Sequence, residues 1–235
     1  MRVSSRLLSS AFVLACLCSV PAMAVGPVSG EAGAVWWANN FDASAGAANI
    51  SSDAGAPGFH AELWVVNKYG VRAERFTSEL DDFSSASADY TSIDFLWRPI
   101  SPTGNNFFAV GLGWQEMDLA TIGLDGDTSG IRIAAEGRVG FGALFYGYAQ
   151  GSYFPSLDEA SATDPQLGRF EDLDGHEYEL GVSWKVFPFM SMRAGYRTYN
   201  VNFNETGIDP LLGLGTELSG EVKSDGFLLG LSARF

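Results

Sequence analysis

From residue 25 onward the chain is a train of short period-two segments whose connections alternate long and short without exception, and that rhythm leaves few folds open. The patterned segments are 28–41, 58–66, 69–79, 89–98, 105–118, 129–139, 143–155, 175–186, 189–203 and 223–235. Connections 42–57, 80–88, 119–128, 156–174 and 204–222 are long, whereas 67–68, 99–104, 140–142 and 187–188 are short. Successive side chains on a strand point to opposite faces, so each alternating segment reads as a strand with one face buried. Tight turns at one end and long loops at the other mark an antiparallel up-and-down arrangement closed into a transmembrane β-barrel. The expected fold is therefore all-β with ten strands. Eight is the alternative, because segment 143–155 is apolar on both faces and the long acidic connections can hide a strand end.

Within the segments one face is apolar and the other mixes charge with glycine. Tyr69, Val71 and Ala73 oppose Arg72 and Glu74, and Ile131, Ile133, Ala135 and Val139 oppose Arg132, Glu136 and Arg138. Tyr178, Leu180, Val182, Trp184 and Val186 oppose Glu177, Glu179 and Lys185, while Phe227, Leu229, Leu231, Ala233 and Phe235 oppose Ser232 and Arg234. A soluble sandwich also alternates. Lipid is favoured as the medium by the loop asymmetry, the terminal Phe235, and aromatics near segment ends at Trp36, Tyr69, Trp97, Trp114, Tyr153, Trp184 and Tyr196.

This facing sends Glu31, Glu62, Glu74, Asp94, Glu136, Glu177 and Glu179 into the lumen beside Arg72, Arg98, Arg132, Arg138, Lys185, Arg193, Arg197 and Arg234. An unpaired ion in a narrow interior costs several kcal/mol, so the interleaved signs predict a cross-strand ion-pair network. A small barrel filled in this way is expected to be plugged, or narrowly permeable, more than an open pore.

Ahead of the first strand, Arg2 and Arg6 precede an apolar run to Val20 and the small-residue exit Ala22-Met23-Ala24. That layout is a secretory signal over 1–24 cut after Ala24, with the barrel over 25–235. The competing lipidation box ending at Cys16 fits poorly at Leu14. Cys16 and Cys18 both fall in the removed segment, which leaves no thiol for a disulfide. A net charge of −14 argues against a nucleic-acid partner. The expected location is a Gram-negative outer membrane, with both termini in the periplasm and the acidic loops outside. The chain is expected to be monomeric.

The outer acids are Asp81, Asp82, Asp125, Asp127, Asp158, Glu159, Glu171, Asp172, Asp174, Glu205, Asp209, Glu217 and Glu221, with Arg75, Arg169 and Lys223 the bases among them. They read as solvated loop charge, or as carboxylates bridged through divalent ions to lipopolysaccharide. Asp125-Gly126-Asp127 lacks the spacing of a calcium loop, so no metal ligands are assigned. Histidine occurs only at 60 and 176. Asp174-Gly175-His176 and Asp81-Asp82 look similar to the acid and histidine pairs of the omptin proteases, which are ten-stranded barrels. Here, however, the acids are adjacent and the chain is shorter. A non-catalytic barrel without a cofactor is the expectation; an omptin-like protease, or a surface module that binds cations, is the alternative.

Four short stretches carry a family resemblance: Ser29-Gly30-Glu31-Ala32-Gly33, the run from Tyr178-Glu179 to Pro188, Met192-Arg193-Ala194-Gly195-Tyr196-Arg197 with Asn200, and Gly230-Leu231-Ser232-Ala233-Arg234-Phe235. They resemble the YfaZ-type outer-membrane proteins and, more broadly, the small OmpA/OmpX-like barrels. The resemblance implies an outer-membrane location and no established activity. In barrels generally a final aromatic strand is read by the insertion machinery. Leu229, Leu231, Ala233 and Phe235 match that signal, which makes an assembly factor the expected transient partner.

Overall fold

The computed structural model of the chain describes residues 28–45, 48–80, 87–103, 106–121, 124–158, 160–161, 169–208 and 215–235. The signal segment 1–24 with Ala22 and Ala24, and the acid pair Asp81 and Asp82, lie outside the described residues. The strands are β1 (Val28–Ala45), β2 (Ala48–Val65), β3 (Tyr69–Leu80), β4 (Ser87–Thr103), β5 (Asn106–Thr121), β6 (Leu124–Phe141), β7 (Phe145–Leu157), β8 (Ala160–Ser161), β9 (Arg169–Phe187), β10 (Met190–Ile208) and β11 (Gly215–Arg234). The two-residue β8 pairs only with the end of β9. The other ten pair antiparallel with their sequence neighbours, and β1 pairs with β11 from Glu31↔Arg234 to Ala45↔Gly220. That last pairing closes the barrel and removes its free edges.

The strands run farther than hydrophobic patterning suggests. Connection 42–57 is strand apart from 46–47, which is undescribed, and Ala54, Gly55 and Ala56 of β2 sit opposite Asn39, Ala38 and Trp37 of β1. These stretches are rich in Gly, Ser, Asp and Asn, weak strand formers on their own. In a closed barrel each strand has a partner on either side, so tertiary pairing overrides local propensity.

Besides register shifts near the turn end on β4 and β9, two places toward the loop end of the wall carry an extra residue. Across from Ile131 and Ile133, β7 spends one residue more around Pro155, which has no amide to give to the ladder, and then continues to Leu157. β9 does the same opposite Asn202 and Asn204, with Asp172 at φ 52°. At the opposite end of the barrel, Lys68 N donates to Val65 O at 3.1 Å across a two-residue turn. Its central residues Val66 and Asn67 have φ of 55° and 52°. This is the twist-matched turn with both central residues left-handed, and it sits one position earlier than the Asn67-Lys68 turn expected from sequence.

The side-chain facing divides the wall into two zones. Over the first eight or nine residues from the turn end, the outer face is apolar. That stretch is roughly 20–25 Å at the usual strand tilt, the height of a hydrocarbon band. The aromatics Trp36, Tyr69, Trp97, Trp114, Tyr153, Trp184 and Tyr196 all stand on this outer face, 36–58% exposed. Above it, toward the loops, the exposed residues become Asn40, Ser51, Asp53, Glu79, Glu116, Asp118, Asp127, Asp158 and Glu221. The inner face changes in the opposite sense. Charge fills the lower lumen, and apolar side chains fill the upper lumen.

Candidate functional site

The lower lumen is organised by a ring of alternating charge. Arg72 on β3 donates to Asp94 Oδ2 on β4 through Nε at 3.0 Å and Nη2 at 2.7 Å. Arg132 Nε on β6 lies 3.0 Å from the other oxygen of Asp94, and its Nη2 donates to Glu177 Oε1 on β9 at 2.9 Å. Arg197 on β10 donates to Glu177 Oε2 at 3.0 Å and to Glu74 Oε2 at 2.9 Å, which brings the circuit back to β3. Two glutamines knit the interior: Gln115 accepts from Arg132 at 2.6 Å, and Gln150 accepts from Arg72 at 2.9 Å and donates to Glu179 at 3.1 Å. Buried ions survive only when each has partners on several sides, which is what this circuit supplies.

A second group lies nearer the turns. Arg138 donates to Glu136 Oε1 at 2.6 Å and also to Glu62, and it approaches Glu31 to 3.8 Å. Arg98 Nη2 is 3.6 Å from Glu62, and its guanidinium carbon lies 3.3 and 3.5 Å from the ring centroids of Trp64 and Phe107, which are tilted to each other by 59°. Close contact with two aromatic rings suits the weakly hydrated guanidinium. Arg193 stands 3.9 Å from both Glu74 and Glu179, and Arg234 3.8 Å from Glu31. Lys185 is half-buried at the turn end, its backbone amide bonded to Leu144 O at 2.8 Å. Gly181 and Gly195 face inward with no side chain, which leaves room for the Tyr148 ring to lie over them and donate to Glu179 at 2.6 Å.

Above the ring sits a layer that sequence reasoning missed. Trp37 meets Phe76 and Tyr90 edge-on at 5.7 and 6.2 Å, and Tyr199 packs on Tyr90 at 4.6 Å and on Phe154 at 5.5 Å. Met117, Phe41, Leu157, Leu173, Val201, Val222 and Leu228 join the same buried cluster. Arg197 lies 4.4 Å from the Phe76 ring, so charged and apolar layers are in contact. The signal was available as parity: Phe76 shares a face with Arg72 and Glu74, Tyr90 with Asp94, Tyr199 with Arg197, and Trp37 with Glu31. His60, also overlooked, is buried in the lower lumen with Nδ1 2.8 Å from Glu74.

On the outside, His176 points away from the barrel axis and lies parallel to Tyr178, their rings 6.4 Å apart. It therefore does not look into the barrel interior. The described rim acids Asp172, Asp174 and Glu221 line one open cleft with Ser44, Asn202 and Asn204. Lower on β11, Lys223 pairs with Asp225 at 3.1 Å.

No protein-family model matches the chain, and no curated protein matches it. Among solved structures it is similar to the outer membrane protease OmpT of Escherichia coli, with a TM-score of 0.56 and 11% identity over 92% of this chain and 99% of that one. The chain has the fold of the outer-membrane barrels. It is also similar to Neisserial surface protein A, at a TM-score of 0.35 and 13% identity over 89% and 98% of the two chains. OprG of Pseudomonas aeruginosa gives 0.39 and 11% over 88% and 95%. At these identities the likeness concerns the fold and does not extend to activity. The narrower YfaZ-type resemblance stays with the four short motifs that carry it.

Proposed function

We propose that this chain is an integral outer-membrane protein whose lumen is closed by its own side chains, with a structural or surface role, no through-channel and no catalysis. In this reading the turns and both termini face the periplasm, and the polar upper wall stands in the external medium. The observation that carries it is the stacking of two filled layers across the lumen, the Arg72–Asp94–Arg132–Glu177–Arg197–Glu74 circuit below and the Trp37–Phe76–Tyr90–Tyr199–Phe154 cluster above. Ions crossing would have to displace both. Planar-bilayer recording of the purified protein is expected to be silent, and discrete conductance steps from the wild type would overturn the reading.

The outward carboxylates of the upper wall, Asp53, Asp127, Asp158 and Glu221 among them, suit divalent-ion bridges to anionic lipopolysaccharide. Leu229 and Leu231 point outward on β11 with Ala233 and Phe235 beyond them. In the closed barrel β11 is paired on both sides, so an assembly factor that reads this strand acts before closure.

A further inference from the structure

His60 presents an unusual arrangement. Its Nδ1 lies 2.8 Å from Glu74 Oε1, while its Nε2 is buried without a hydrogen-bond partner. A carboxylate on one ring nitrogen makes that nitrogen the donor and leaves the lone pair on the other. This is the orientation that metal-binding histidines adopt, with an acid behind the ring and the free nitrogen in front. In front of Nε2 stands Glu31 Oε1 at 3.6 Å, too far for a hydrogen bond. One ligand atom from each of Glu31, His60 and Glu62 lies within 4.8 Å of the others, and all three residues are buried. Ligands held at about 2.0–2.1 Å around a tetrahedral ion stand roughly 3.3 Å apart, so the trio needs only small side-chain shifts to close on one.

We infer that Glu31, His60 and Glu62 form a binding site for a divalent ion of the zinc class, with Glu74 as the positioning residue behind His60. One imidazole and two carboxylates suit that class better than the hard, oxygen-seeking calcium. Access is from the turn end, because Glu31 lies three residues into β1, roughly 10 Å from that rim, while the aromatic layer seals the other side. Arg138 is the competitor: it bonds Glu62 and has Glu136 as a second partner to which it can retreat. The inferred ion would staple β1 to β2 inside the barrel, a role distinct from the lipopolysaccharide bridges at the rim.

The test uses the mature chain refolded in detergent, checked for folding by heat-modifiable gel migration, stripped with chelator and titrated with Co2+ followed by Zn2+. One Co2+ per chain with visible ligand-field bands, displaced by Zn2+, is expected. His60→Gln removes the bands, Glu74→Gln weakens binding about 10- to 100-fold, and Arg138→Gln tightens it. His176→Ala and Asp174→Asn leave it unchanged. Absence of the bands in the wild type, or their survival in folded His60→Gln, overturns the inference. Should His60→Gln fail to fold, proton NMR of the Co2+-loaded wild type decides: a hyperfine-shifted imidazole signal retained in His176→Ala supports the site, and bound Co2+ without one refutes it.

Discussion

The lower and upper halves of the wall use the same strands and the same hydrogen-bond ladder but obey opposite rules. Below, β10 points Arg193 and Arg197 inward and Met192 and Tyr196 outward; above, it points Tyr199 and Val201 inward and Asn202 outward. Apart from the small cluster of Trp64, Leu96 and Phe107 near the turns, the lower half therefore gains little from expelling water inside. It holds its shape through lipid outside and neutralised ions within. The upper half is built like the core of a water-soluble protein, with its hydrophobic gain at roughly 25 cal/mol per Å2 of apolar surface buried. A strand that crosses from lipid into water has to invert its polarity, and the inversion falls where Arg197 meets Phe76 and Trp37.

Mutations placed in each half test the contrast, with urea midpoints in detergent as the common measurement. Arg132→Leu is expected to be among the most damaging at about 3–5 kcal/mol, because it removes one of the two guanidiniums that neutralise each of the buried anions Asp94 and Glu177. Pairing it with Asp94→Leu should recover part of that loss, and a double variant as unstable as the single would break the ion-pair account. Trp37→Ala should cost a similar 3–5 kcal/mol through the cavity it leaves among Phe76 and Tyr90. A cost below about 1 kcal/mol would deny the upper half its core. Leu231→Arg, on the outer face of the lower half, should cost about 2–4 kcal/mol and impair assembly. Normal heat-modifiable migration of that variant would refute the lipid-facing assignment. At the two-residue turn, Val66→Asn should add about 1 kcal/mol by relieving a β-branched residue held at positive φ. Asp53→Lys, outward in the upper half, should stay within about 0.5 kcal/mol, and a larger penalty would extend the lipid band upward past Asp53.

Much of this architecture was readable from period two alone. The facings of Tyr69, Val71, Ile131, Leu180, Phe227 and Leu231 follow directly from parity, and so does the inward placement of Arg72, Glu74, Arg132 and Glu179. The upper strand halves were lost for a physical reason. Their outward residues are loop-like in composition, and their inward apolar residues fall in the phase that carries charge lower down. Residues 48–57 show this most clearly, with Ser52, Ala54 and Ala56 inside and Ser51 and Asp53 outside. The environment of His60 was out of reach because it depends on Glu74, which the barrel brings next to it only through the β2–β3 register.

The seam between the first and last strands has a kinetic consequence. Gly30 N donates to Phe235 O at 3.0 Å, and Phe235 N donates to Gly30 O at 3.1 Å, joining residues about 200 positions apart. Contacts so distant in sequence are the slowest to find each other. Until β11 reaches β1, the nascent sheet carries two sticky borders, and the time they stay open sets how often folding outruns clumping.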